Sequence, residues 1–196
     1  MKRLVSCLAL VLTMLVTPNL LAANIIYRST MSGPSEAPPN NSPGASIGTI
    51  VFDNVAMTMS FSTPFVDLIS PSTAAHLHCC TAEPLLGTAP IAIGFDDFPT
   101  GVREGLYYRV FDLSDPATYA PAFLSAHGGT VAAARDFLLA GINGNQSYLN
   151  IHSSRYPAGE IRGFLVQLDP VPEPSTWLML GVGLAGLTVY SRRKAA

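Results

Sequence analysis

Ile47-Gly48-Thr49-Ile50-Val51-Phe52, then Asp53-Asn54, then Ala56-Met57-Thr58-Met59-Ser60-Phe61 is the stretch that decides the fold. Its second run alternates Met57, Met59 and Phe61 with Thr58 and Ser60, the two-residue period of a strand with one buried face. Asp53-Asn54 is the polar break between the runs, so the segment predicts a β-hairpin. The same reading extends outward. Asn24 to Met31 is a first strand, and Ser32 to Gly44 a long turn-rich connection. Thr73 to Cys80, Leu85 to Phe95, Gly105 to Leu113, Ser147 to Ser153 and Glu160 to Leu168 read as further strands, joined by segments rich in Gly, Pro and Asn.

Two segments depart from this rhythm. Val131 to Ala140 is an Ala-rich run with Thr130 placed to cap its start and Gly141 placed to end it. Ser114-Asp115-Pro116 starts one helical turn, which Pro121 is expected to stop. The expected domain, residues 24–170, is therefore all-β: an antiparallel Greek-key, immunoglobulin-like β-sandwich with short helical insertions.

The two ends carry sorting information. Met1-Lys2-Arg3, the apolar run Leu4 to Val16 and then Leu21-Ala22-Ala23 have the order of a secretory signal peptide, residues 1–23. At the other end Pro172, Glu173 and Pro174 precede an uncharged stretch, residues 177–190, followed by Arg192, Arg193 and Lys194. Those fourteen residues reach about 21 Å as a helix against a hydrocarbon core of about 30 Å, a short transmembrane helix. Trp177 and Tyr190 bracket it, and the basic tail is expected to remain cytoplasmic. Val171-Pro172-Glu173-Pro174, the short apolar helix and the Arg-Arg-Lys tail together resemble the PEP-CTERM sorting signal. That resemblance implies a precursor anchored in the inner membrane and facing the periplasm. It also implies handling by an exosortase in a Gram-negative, exopolysaccharide-producing bacterium, and delivery to the cell surface or beyond.

Between these ends lie six arginines, no lysine and twelve acids, a formal charge of minus six before histidines. Such a surface repels phosphate, which excludes nucleic acid as a partner class. Only Cys79 and Cys80 remain after export; bridging neighbours demands a strained ring, so no ordinary structural disulfide is expected.

His76 and His78 stand two apart on one predicted strand, both on the face opposite Leu77. His152 shares parity with Tyr148 and Asn150 on a later strand, opposite Leu149 and Ile151. If these strands are neighbours, three imidazoles converge in a set suited to Cu or Zn, with Cys80 on the same face by parity. Metal there needs neutral imidazoles, so affinity is expected to fall below about pH 6.5. The alternative is that the histidines pin strands together through hydrogen bonds. Glu160 and Arg162 read as structural ion-pairing residues, or Glu160 as a group orienting a histidine from behind. There is no Gly-x-Ser-x-Gly elbow, phosphate loop or His-Glu-x-x-His, so no enzyme is expected.

Three stretches resemble the CHRD domain: Ser32-Gly33 with Glu36 and Pro38-Pro39; Thr73-Ala74-Ala75-His76-Leu77-His78; and Tyr148-Leu149-Asn150-Ile151-His152 with Gly159-Glu160-Ile161-Arg162-Gly163. Where that family commonly has glycine and proline after the second histidine, this chain has Cys79-Cys80. The resemblance implies a secreted β domain and leaves its activity open. The expected role is structural or adhesive, with extracellular polysaccharide or matrix as partner and membrane contact through the C-terminal helix. The alternative is an extracytoplasmic Cu- or Zn-binding protein.

Overall fold

A computed structural model describes residues 24–168, together with Gly181, Gly183 and Leu184. Strands β1 (Ile25–Ser32), β2 (Ala45–Asp53), β3 (Thr58–Val66), β4 (Ser72–Cys79), β5 (Ile91–Gly94) and β6 (Gly105–Asp112) precede helices α1 (Pro121–Ala126) and α2 (Val131–Asn143). Strands β7 (Ser147–Ser153), β8 (Ile161–Phe164) and β9 (Val166–Gln167) complete the domain. The quoted hairpin is β2–β3, with Ile50 opposite Phe61 and Phe52 opposite Met59. Its turn is longer than expected. One Asp53 carboxylate oxygen accepts from both Val55 N and Ala56 N at 2.8 Å, and these residues therefore belong to the turn.

All pairings are antiparallel, in the order β5-β4-β7-β8-β1-β2-β3-β6, with β9 beside β1. This corrects the sandwich of two separate sheets. β1 pairs β2 along one edge and β8 and β9 along the other, so no break separates the halves and the fold is one curled sheet. Curling brings β3 and β6 over the β5 end. Phe61 lies 4.6 Å from Phe95, Phe65 5.1 Å from Phe98 and Tyr107 5.5 Å from Phe95, centroid to centroid. Fully buried Leu77, Ile93, Leu149 and Ile151 complete the core. Each buried side chain of this size is worth about 1.5–3 kcal/mol of transfer free energy.

Asp115 caps the short 3-10 turn Pro116–Thr118 through Ala117 N, as its sequence predicts, but Pro121 opens α1 instead of ending the turn. Helix α2 likewise runs past Gly141 to Asn143. Gly141 lies against the sulfurs of Cys79 and Cys80, where a Cβ would overlap them. Those cysteines are joined in a disulfide, contrary to expectation. Strand β4 ends at Cys79, and both sulfurs turn under α2. Leu85 to Phe95 yields only the short β5, preceded by an isolated bridge between Glu83 and Leu86.

The signal peptide and the sorting motif lie outside the described residues, as does the helix at 177–190 apart from helical Gly181, Gly183 and Leu184. Among the described residues no helix is long and apolar enough to cross a membrane.

Candidate metal centre

Strand β4 pairs with β7 so that His76 faces Asn150, His78 faces Tyr148 and Ala74 faces His152. Parity does the rest: Leu77, Leu149 and Ile151 enter the core, while His76, His78 and His152 share the outer face. Ring centroids of His76 and His152 are 4.8 Å apart, those of His76 and His78 5.7 Å, and those of His78 and His152 6.3 Å. One nitrogen from each ring lies within 4.8 Å of the other two.

The surrounding loops fix which nitrogen carries a proton. His78 Nδ1 is 2.8 Å from Ala89 O, and His152 Nδ1 is 2.9 Å from Pro157 O. A carbonyl only accepts, so both Nδ1 atoms are N–H donors and both Nε2 atoms keep a lone pair. His152 Nε2 accepts from His76 Nδ1 at 2.9 Å. His78 Nε2 is buried with no partner among the described residues. Leaving such an acceptor dry costs about 1–3 kcal/mol, which a cation at the cluster would recover. Carbonyl-tethered Nδ1–H groups that present Nε2 to a common point are the arrangement that orients metal-ligating imidazoles.

Burial sets the charge state. It pushes His76 and His78 down to about 4, helped at His76 by the neighbouring imidazoles; at His78 the Ala89 hydrogen bond opposes it. His152 is lowered by the same cause, against the Pro157 hydrogen bond. These imidazoles therefore stay neutral well below pH 6.5, which moves the expected proton competition to more acidic conditions.

Around the cluster lies a buried polar platform. His78 stacks on Tyr148 at 4.7 Å, and the Arg162 guanidinium lies 5.0 Å over the same ring. Arg162 donates to Ser35 O and Gly87 O and sits 3.9 Å from Glu36, its ionic partner. Glu160 is not behind a histidine. Its carboxylate accepts from Ser42 Oγ at 2.6 Å and Ile69 N at 2.5 Å, tying the 33–44 and 67–71 connections together. Cys80 is also absent from the cluster, because its sulfur is bonded to Cys79 beneath α2. Glu36 and Asn150 were not anticipated as site residues. Asn150 Nδ2 donates to Glu36 Oε1 at 3.0 Å, and burial raises Glu36 to about 7 despite Arg162. Asn150 shares the parity of His152, which is a usable signal; nothing local marks Glu36 as buried.

The CHRD domain family model matches residues 27–165, most of the chain. The chain belongs to the CHRD family. A PEP-CTERM protein-sorting motif matches residues 170–194. The first match spans the curled sheet and its three histidines, and the second marks the chain as an exported, sorted protein. No curated protein and no solved structure gives a match to it.

Proposed function

We propose that this CHRD protein is surface-sorted cargo of an exosortase-type system and that its domain binds a Zn or Cu ion through His76, His78 and His152. The role is binding, not catalysis. The observation that carries it is the pair of Nδ1–carbonyl tethers, which leave the Nε2 lone pairs of His78 and His152 turned to one cluster. Three imidazoles suit either metal and leave a fourth position for a further ligand. Calorimetry of the purified full chain with Zn and with Cu tests it. Micromolar binding is expected, abolished in His78→Ala and little changed in His127→Ala. Absence of binding by both metals at micromolar concentration leaves the histidines as residues that pin β4 to β7.

A structural or adhesive role rests on a different surface. The outer face of β2, β3 and β6 exposes Ile47, Val66, Leu106, Tyr108 and Val110. Ser62 lies opposite both Thr49 and Tyr108, placing hydroxyls among these apolar groups. This mixture fits extracellular polysaccharide or matrix. Retention on isolated exopolysaccharide that Tyr108→Ala weakens supports this role, and equal retention of both proteins removes it.

A further inference from the structure

His76 belongs to two places at once. Its Nδ1 faces the cluster, and its ring also lines a cavity of about 540 Å³ between the two ends of the curled sheet. Gly94 of β5, opposite His76 in register, lines the near side, while Arg109 and Asp112 of β6 line the far side. The wall is acidic. Arg109 is engaged by Asp97 at 3.5 Å and Asp96 at 3.8 Å. Asp112 and Asp115 each use one oxygen to accept a backbone N–H at 2.8 Å, leaving the other oxygen without a partner among the described residues.

Hydrogen-bond order decides what His76 shows this cavity. His152 Nδ1 donates to Pro157 O, so its Nε2 accepts; His76 Nδ1 must then be the donor, and His76 Nε2 keeps a lone pair. That nitrogen has no protein partner and is not among the buried unpaired atoms, so it is open to solvent. His76 therefore carries an unprotonated nitrogen open to solvent and lines an acidic cavity.

We infer that this cavity is the entry vestibule for the metal proposed above: a hydrated divalent cation is drawn in by Asp112 and Asp115 and captured first at His76 Nε2. The inference rests on the metal-binding reading. Capture forms one N–metal bond as one water leaves the ion. Passage into the cluster breaks that bond and forms one to Nδ1, while the Nδ1 proton moves through solvent to Nε2. His76 stays neutral throughout, and no net proton is released by it.

Stopped-flow loading of the purified full chain with Co(II), read by its absorbance, tests the route. A Cβ at Gly94 meets nothing within 4 Å, so Gly94→Leu fits the fold and narrows the passage beside His76. It is expected to slow loading and release by the same factor, tenfold or more, with Kd unchanged. The double substitution Asp112→Asn with Asp115→Asn keeps both turn-forming oxygens and removes the charges. It is expected to slow loading on the order of tenfold at low salt, flatten its dependence on ionic strength and leave release unchanged. Wild-type rates in Gly94→Leu, or an unaltered salt dependence in the double variant, overturn the vestibule while leaving the metal site intact. Failure of the wild-type chain to bind any of Co(II), Zn and Cu overturns the binding reading itself.

Discussion

Acidifying the metal-free protein from pH 6.5 to pH 5 is expected to destabilise it, with Glu36 acting against the histidines. His78 titrates near 6.5 when unfolded and at about 4 when folded, so over this interval the unfolded chain takes up its proton and the folded chain does not. Stability due to that neutral imidazole is complete above about pH 6.5 and is lost as pH falls toward 4. Over one and a half pH units the loss is about 2 kcal/mol. Glu36 runs the other way: folded it keeps its proton up to about 7, unfolded only to 4.5, so it adds about 2 kcal/mol over the same fall. These two nearly cancel. What remains comes from His76 and His152, both lowered, with His76 discounted for its partial exposure. The net loss is about 1 kcal/mol from His76, and His152 acts in the same direction. Urea unfolding of chelator-treated protein at the two pH values measures it. Glu36→Gln removes the counterweight and is expected to deepen the loss by about 2 kcal/mol. A stability that is flat or rising on acidification in Glu36→Gln would refute the claim that burial keeps these imidazoles neutral.

Zn affinity is expected to change only a few-fold between pH 7.5 and 5.5, since the ligands are already unprotonated there; a loss of a hundredfold or more in titration calorimetry means the histidines keep ordinary basicity. Gly141→Ala places a methyl group against the sulfurs of Cys79 and Cys80 and is expected to cost about 1–3 kcal/mol in urea unfolding by lifting α2; an unchanged midpoint would show that the helix moves freely. Intact mass of the secreted protein is expected to give an N-terminus at Ala23 or Asn24 and to lack the Trp177 to Ala196 segment. Retention of that segment on most molecules points to a permanent anchor instead.

Parity made much of the histidine face legible. A strand has two sides, and Leu77, Leu149 and Ile151 claim the inner one, so His76, His78 and His152 are left with the other. That β4 and β7 are neighbours is not local information, because 68 to 81 residues separate the paired positions from Cys79↔Ser147 at one end to Ser72↔Ser153 at the other. Backbone carbonyls are equally silent in a sequence. Ala89 O and Pro157 O choose the tautomers, yet their side chains carry no sign of it. Glu36 stands in a stretch that resembles the CHRD pattern, but its sequence surroundings do not mark it as buried; it is buried because the 33–44 connection folds back over β7 and β8. Gly141 shows the limit of local end signals. A residue that reads as a helix stop was kept small to let two sulfurs pass.

Strand β9 closes the sheet against the start of the chain, pairing Tyr27 with Gln167 and Arg28 with Val166, while Leu168 N donates to Ile26 O at 2.8 Å. The domain's entrance and exit are therefore side by side, and this determines how it bears a pull. Tension applied between its two ends loads these few contacts one after another, as a zipper opens, and reaches the long β1–β2 ladder only after β9 has peeled away. A domain held at both ends is mechanically weak at that corner. Held by one end alone, it transmits no force through the seam, and trimming either terminal segment relieves the load without touching the histidine face.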